Sequence, residues 1–143
     1  MTIPSSEMLH ASTVAIDGQA ILITGVSGSG KSDLALRLID RGARLISDDY
    51  TLVTRNDMFL IASAPKNIEG KIEVRGIGIV EFESLDSAVA ALIVRVDAVP
   101  TRMPDPAEAH IIAGIALPTV SIAPFEAAAP IKVEIALRRL AAR

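Results

Sequence analysis

Residues 22–36 read LITGVSGSGKSDLAL, and the interpretation of the whole chain starts from them. The central run GVSGSGKS, at 25–32, matches the phosphate-loop pattern G-x-x-x-x-G-K-[ST] at every fixed position. The apolar run AILIT at 20–24 predicts a buried strand, and residues 31–42 predict a helix that Gly42 ends. This is the strand–loop–helix context that the pattern requires, so the sequence predicts an α/β domain that binds phosphate groups.

The residue types of this loop suit a polyphosphate. Glycines let the backbone approach the anion closely, and the helix that follows directs free N–H groups and its positive dipole end at the phosphates. Lys31 supplies a cation for the β- and γ-phosphate oxygens, and the Ser32 hydroxyl suits Mg²⁺, which prefers oxygen ligands. A glycine-rich turn that matches by chance is disfavoured, because motif and context agree. The expected nucleotide-binding residues are Gly25, Val26, Ser27, Gly28, Ser29, Gly30, Lys31 and Ser32.

The composition of the chain excludes several classes of protein and of functional site. The 143 residues suit one domain, covering 1–143, and the 50% hydrophobic content argues against disorder. The chain has no cysteine, which excludes disulfides and thiolate chemistry. A net charge of −3 and an aromatic content of 3% argue against nucleic-acid binding. No apolar run is long enough for a membrane span and no secretory signal is visible, so we expect a cytoplasmic protein without membrane contact.

The rest of the chain predicts more strands than a doubly wound sheet needs. The predicted elements, in chain order, are a strand at 43–47, a hairpin turning at Asn56–Asp57, one or two strands within 71–82, a short helix from Ser84 to about Ala91, a strand at 91–96, a proline-rich loop at 98–106, an edge strand at 118–124 and a C-terminal helix carrying Val133, Ala136, Leu137 and Leu140.

Two adjacent carboxylates follow the strand at 43–47. Asp48 and Asp49 end that strand, and in open α/β sheets this end faces the ligand crevice. One carboxylate suits a metal or its water, and the other suits accepting the proton of an incoming hydroxyl. The alternative is a polar turn without chemistry, and the nearby phosphate loop favours the functional reading. Asp97, which ends the strand at 91–96, is the second candidate for the metal.

Other polar residues are weaker candidates. Glu73 and Arg75 lie two positions apart in IEVRGIGI, so on a strand their side chains point to the same face. The carboxylate suits a metal and the guanidinium suits a transferred phosphoryl group. The alternative is an exposed pair without a role in the chemistry. His10, in an expected N-terminal strand, suits orienting an aspartate or helping proton transfer, although a lone histidine is more often a structural residue. Arg102 in the proline-rich loop suits reaching a phosphate or is solvated, and His110 receives no role.

Taken together, these pieces resemble the catalytic domain of HPr kinase/phosphorylase, a bacterial enzyme that uses ATP to phosphorylate a serine of HPr, the small carrier of the sugar phosphotransferase system. The resemblance covers about residues 10–82 and continues loosely beyond. Its pieces are His10, then GVSGSGKS, then RGARLISDD, then IEVRGIGIV. The last two, at this distance from each other, are the specific ones.

The resemblance implies a P-loop NTPase-like fold related to phosphoenolpyruvate carboxykinase, with a strand-rich mixed sheet, and a homo-oligomer, a hexamer in the family. It implies that Lys31 and the loop bind ATP and that Ser32 and Glu73 hold Mg²⁺. Asp49 would accept the proton of the serine hydroxyl, assisted by Asp48 and His10. Arg75 lies in the segment that resembles the family's catalytic stretch, and Arg102 is matched to a later catalytic arginine. The implied partner is an HPr-like phosphocarrier protein.

The sequence also departs from the family pattern. It resembles short forms that lack an additional N-terminal domain, and a P-x-x-P-G-R-N-like segment, associated with dephosphorylation, is not visible. Kinase activity is therefore expected more than reverse phosphorolysis. Two alternatives stay open: a nucleotide-sensing regulatory module without turnover, and a small-molecule kinase that uses the same loop.

Overall fold

The computed structural model describes residues 5–141, which contain eleven β-strands and two α-helices. The strands are β1 Ser6–Leu9, β2 Ala11–Ile16, β3 Gln19–Thr24, β4 Arg44–Ser47, β5 Thr51–Asn56, β6 Phe59–Ser63, β7 Lys71–Val74, β8 Gly78–Glu81, β9 Ser87–Arg95, β10 Ala109–Ile112 and β11 Ile115–Ser121. The helices are α1 Lys31–Asp40 and α2 Ala129–Ala141, and a 3-10 turn covers Lys66–Ile68. The protein is a mixed α/β structure that is rich in strands.

Nine strands form one mixed sheet. Seven of them run in the order β1-β5-β6-β9-β3-β2-β4, and β11 joins β9 while β10 pairs with β11. The pairs β3–β9 and β9–β11 are parallel, and the other pairs of this sheet are antiparallel. Strands β7 and β8 form a separate two-stranded hairpin. The prediction of one or two strands within 71–82 is therefore confirmed as two.

Strand β3 is buried on both faces of the sheet, which explains its unbroken apolar run. Successive side chains of a strand point to opposite faces. Ile21 and Ile23 pack with both helices in one cluster, whereas Ala20 and Leu22 belong to a second cluster on the other face. Burial on two faces removes the apolar–polar alternation of a half-exposed strand.

The two helices close the first of these faces. The predicted apolar positions of α2 are confirmed, since Val133 and Leu137 are buried in the cluster with Leu38 of α1. A bidentate ion pair joins the helices, because the Arg41 guanidinium donates to Glu134 at 2.7 and 3.0 Å. The hydrogen bond and the charge of Glu134 raise the pKa of Arg41. Within residues 5–141, neither helix has the length and apolar character needed to cross a membrane.

Several predicted elements are wrong or shifted. The helix expected from Ser84 to about Ala91 does not form, because residues 87–95 are strand β9 in the middle of the sheet. Pairing with β6 and β3 on its two sides overrides the local helix preference of its alanines.

The strand expected at 118–124 forms as the second half of β11 and ends at Ser121. Thr119–Ser121 pair with β9, and β10 pairs with the first half of β11. The β5–β6 hairpin turns at Asp57–Met58, one residue later than predicted, because Asn56 still pairs with Phe59. His10 was expected within a strand and instead lies at the bend between β1 and β2.

Candidate active site

The phosphate loop joins the end of β3 to the start of α1. Gly28 and Gly30 have φ values of 81° and 104°, which favour glycine over residues with a side chain. The first helical hydrogen bond runs from Leu34 N–H to the Gly30 carbonyl at 3.0 Å. The N–H groups before Leu34 therefore have no acceptor within the helix, which suits the binding of an anion.

Lys31 folds back over this loop. Its side chain is buried, and its Nζ donates to the Val26 carbonyl at 3.1 Å. The Ser29 hydroxyl and the Ser29 N–H donate to the same carbonyl. The backbone N–H of Val26 in turn donates to the Asp97 carboxylate at 3.2 Å. These hydrogen bonds stabilise the conformation of the phosphate loop and keep the Lys31 ammonium group next to it.

Asp48 connects the loop to the end of β4. Its buried carboxylate accepts hydrogen bonds from the Ser32 hydroxyl at 2.6 Å, the Ser12 hydroxyl at 2.8 Å and the Glu73 N–H at 3.1 Å. Three donors offset the cost of burying the carboxylate. Among the acids named as candidates for the metal, Asp48 contacts Ser32 directly, whereas Asp97 contacts the loop backbone.

Ser12 of β2 ties the two aspartates together, and sequence reasoning missed it. Its hydroxyl donates to Asp48 and accepts the Asp49 N–H at 3.1 Å. The pairing of β2 with β4 shifts register next to Ser12, since Thr13 pairs with Ser47 while Val14 pairs with Leu45. Bulges of this kind often re-aim side chains near active sites. A serine in a buried apolar strand was the only signal in the sequence.

Asp49 is held next to His10 at the surface. Its φ is 67°, a left-handed conformation that aspartate tolerates better than most residues. His10 Nε2 lies 2.8 Å from Asp49 Oδ1, and the two side chains are 37% and 51% exposed. The His10 ring stacks on Tyr50 with centroids 5.2 Å apart. Tyr50, which the sequence analysis did not select, thus fixes the plane of the imidazole that faces Asp49.

Two clefts flank the loop. The larger, of about 530 Å³, has the phosphate loop on one side, through Ser27, Gly28 and residues 30–32, and Glu73 and Arg75 on the other. The second, of about 430 Å³, runs from Gly25 and Val26 to His10. Its further lining includes Asp97 and two residues without a predicted role, Arg95 and His110.

The structure thus brings together most of the residues predicted for the site. Glu73 and Arg75 meet the phosphate loop across the larger cleft, and His10 meets Asp49. Arg102 lies exposed in the loop between β9 and β10 and lines neither cleft, so its role stays a prediction.

The oxygen donors near Ser32 suit Mg²⁺. Asp48 and Ser32 are in contact, and the Glu73 carboxylate belongs to the same cleft as Ser32. Mg²⁺ is commonly held by one or two carboxylates together with substrate phosphates and water. Among residues 5–141, no group of three or more His, Cys, Asp or Glu side chains is arranged to hold a metal ion. The oxygen donors of Ser32, Asp48 and Glu73 fit an ion that shares its coordination with a phosphate.

Comparison with known proteins identifies the family. The family described as the HPr Serine kinase C-terminal domain matches residues 2–91. The chain belongs to this family. An HPr kinase/phosphorylase of Limosilactobacillus reuteri is 38% identical over 127 residues, which cover 80% of this chain and 40% of that protein. One from Clostridium botulinum is 52% identical over 77 residues, covering 54% of this chain and 25% of that protein.

A solved family structure supports the fold. The Hpr(Ser) kinase/phosphatase from Coxiella burnetii superposes with a TM-score of 0.80 at 30% identity, covering 93% of this chain and 95% of that chain. The chain spans 25% and 40% of the lengths of the two curated relatives above. Membership in the family and the α/β architecture follow from these matches.

Proposed function

We propose that this protein is an ATP- and Mg²⁺-dependent serine kinase that phosphorylates an HPr-like phosphocarrier protein. One observation carries the proposal. The hydroxyls of Ser32, in the phosphate loop, and of Ser12 both donate to the Asp48 carboxylate, and the Asp49 N–H donates to the Ser12 hydroxyl. A nucleotide-binding loop is thus rigidly connected to a surface carboxylate, as in-line transfer to a protein hydroxyl requires.

The loop and Lys31 would bind the triphosphate. Free N–H groups at the start of α1 and the Lys31 ammonium neutralise the β- and γ-phosphates, while Arg75 faces the loop across the larger cleft. Ser32, Asp48 and Glu73 would hold Mg²⁺, which when bound supplies positive charge to the phosphate oxygens. The Lys31–Val26 contact keeps the ammonium in place before ATP arrives.

Asp49 would accept the proton. The carrier's serine oxygen forms a bond to the γ-phosphorus as the bond to the β-phosphate bridging oxygen breaks, and ADP leaves with that electron pair. The serine proton passes to the Asp49 carboxylate. His10 orients this carboxylate through the 2.8 Å contact, and Tyr50 holds His10 by stacking. Half-exposure of Asp49 gives a protein substrate access to it.

The finer features of the family belong to the same proposal. They are a P-loop NTPase-like fold related to phosphoenolpyruvate carboxykinase, a single catalytic domain over 1–143, assembly into a homo-oligomer such as a hexamer, and a cytoplasmic location. Arg102 would approach the transferred phosphoryl group from its loop. The names of the relatives, kinase/phosphorylase and kinase/phosphatase, support testing the reverse reaction as well.

A transfer assay tests the proposal. The purified protein is incubated with ATP, Mg²⁺ and the HPr-like carrier of its own organism, and intact-mass spectrometry measures phosphoserine on the carrier. We expect one phosphoryl group per carrier with the wild type. Lys31→Ala should nearly abolish both ATP binding and transfer. Asp49→Asn, which keeps the shape and tolerates a positive φ, should retain ATP binding and lose transfer by about 100-fold or more.

Asp57→Asn is the matched control for Asp49→Asn. Asp57 is another exposed aspartate with positive φ, 57°, but it lies in the β5–β6 turn and has neither the His10 contact nor the Ser12 hydrogen bond that Asp49 has. It should transfer phosphate like the wild type. Tight ATP binding by the wild type without phosphoserine on the carrier would favour a nucleotide-sensing module. Normal turnover by Asp49→Asn would remove Asp49 from the role of proton acceptor.

A further inference from the structure

The larger cleft continues beyond the phosphate loop to an exposed aromatic ring. Phe125, in the connection between β11 and α2, is 71% exposed and is the aromatic side chain of the cleft lining. The same cleft is lined by Leu36 of α1 and Val74 of β7, which are partly buried. One end of the cleft is therefore built for phosphates and another part offers apolar surface.

The Phe125 ring lies directly against the phosphate loop. A Cβ placed on Gly30 would come within 2.9 Å of Phe125 Cζ and 3.1 Å of Pro124 Cγ. The absence of a side chain at Gly30 thus makes room for the 124–125 segment as well as for the backbone geometry of the loop. A nucleotide whose phosphates occupy the loop would have its remaining part within the cleft that Phe125 borders.

Arg37 holds this segment in position. Its guanidinium donates to the carbonyls of Pro124 and Glu126, at 3.1 Å for Glu126, and pairs with Asp33 at 2.9 Å. The residues on both sides of Phe125 are therefore tethered to α1, while the ring itself stays exposed. An exposed phenylalanine on a fixed backbone offers a flat apolar face with little ordering cost.

We propose that Phe125 is the stacking platform for the purine ring of the nucleotide. This inference rests on the proposed function and adds the subsite that takes the base. Aromatic side chains bind bases through the π-face that every base has. The Glu126 carbonyl already accepts from Arg37 and from the Ala129 N–H, so both of its lone pairs are used, and the Pro124 carbonyl already accepts from Arg37. The platform therefore predicts similar affinities for ATP and GTP.

Calorimetric titration with ATP and with inorganic tripolyphosphate separates base binding from phosphate binding. Phe125→Ala should weaken ATP binding at least about fivefold and leave tripolyphosphate binding unchanged, since removal of a stacking aromatic typically has an effect of that size or larger. Phe59→Ala is the matched control, because Phe59 is 58% exposed on β6 and lines neither cleft. It should change neither affinity.

A second variant gives a direct signal. The chain contains no tryptophan, so Phe125→Trp introduces a single indole at the platform. Its fluorescence should be quenched by ATP and by GTP but not by tripolyphosphate, and ATP affinity should be at least that of the wild type. Phe59→Trp should respond to none of the three ligands.

The outcomes distinguish the platform from the proposed function. Unchanged ATP affinity in Phe125→Ala overturns the platform, and so does an equal loss for ATP and tripolyphosphate, which would mean that Phe125 only supports the loop. A wild-type protein that binds tripolyphosphate as tightly as ATP overturns the platform and leaves the phosphate site intact. A wild-type protein that binds neither ligand overturns both.

Discussion

Ser12→Ala tests whether the site depends on a side chain that touches neither nucleotide nor carrier. Ser12 is fully buried, and its hydroxyl makes two hydrogen bonds. The bond to the Asp48 carboxylate is 2.8 Å and the bond from the Asp49 N–H is 3.1 Å. Alanine removes both without adding volume. Asp48 keeps its bonds from Ser32 and Glu73, and the Asp49 amide loses its acceptor.

The expected cost in the free energy of unfolding is about 2 kcal/mol. The bond to the charged Asp48 carboxylate contributes about 1.5–3 kcal/mol, and the bond from the N–H of the half-exposed Asp49 contributes about 0.5–1.5 kcal/mol. Ser32 and the Glu73 N–H still donate to Asp48 and compensate part of the lost bond to its carboxylate. The total loss of stability is therefore expected near the lower end of the summed ranges. With a urea dependence of about 2 kcal/mol per molar, the unfolding midpoint should fall by about 1 M.

The matched control is Thr13→Val, on the same strand. Thr13 is fully buried, and its hydroxyl contacts Thr51 Oγ1 at 2.8 Å without touching either aspartate. Both variants are measured by urea unfolding and by transfer to the carrier. Thr13→Val should lose about 1 kcal/mol of stability and keep transfer, whereas Ser12→Ala should lose stability and slow transfer by about tenfold or more. Equal transfer rates for the two variants would refute the reasoning, because the Ser12 bonds would then not position Asp49.

Two further substitutions follow from the packing. Gly30→Ala should weaken both ATP and tripolyphosphate binding by about tenfold or more, because a side chain is strained at φ 104° and its Cβ meets Phe125 at 2.9 Å. Gly42→Ala is its control, since φ there is 110° but no atom lies within 4 Å of the added Cβ, so stability falls while both affinities persist. Leu38→Ala should lower the free energy of unfolding by about 2–5 kcal/mol because Leu38 is fully buried between α1 and the sheet. Ile131→Ala, at a residue 42% exposed, should cost far less, and comparable urea midpoints for these two variants would contradict the assigned core.

Local patterns predicted the elements whose partners are close in sequence. Helix α1 and the strands within 71–82, which pair as a hairpin, are confirmed, because their hydrogen bonds join residues close along the chain. The strand before the loop is confirmed as well, because its apolar run already indicates burial, although one of its two partners is the distant strand β9. The helix expected after Ser84 is wrong for the opposite reason. Its alanines favour a helix locally, yet residues 87–95 have strand partners at 61–63 and 19–24. No window of nearby residues contains that information.

The candidate site divides in the same way. The sequence predicted the chemistry of the site residues, because the loop glycines and Lys31 suit phosphate, Ser32 suits a metal ion, and the aspartate pair suits a metal ion or a proton. The hydrogen bonds between these residues could not be predicted, because they join residues that are far apart along the chain. Ser12 meets Asp48 across 36 positions, His10 meets Asp49 across 39, and the Val26 amide meets Asp97 across 71.

The sequence by itself determined that a loop with the phosphate-loop pattern lies between a buried strand and a helix, because glycine conformations and apolar periodicity act over a few residues. Only the tertiary structure decided which acid reaches Ser32, which hydroxyl holds the two aspartates, and that Phe125 borders the cleft next to Gly30. These contacts follow from the order in which the strands pair. That order minimises the free energy of the whole sheet and its two apolar clusters, and no single segment encodes it.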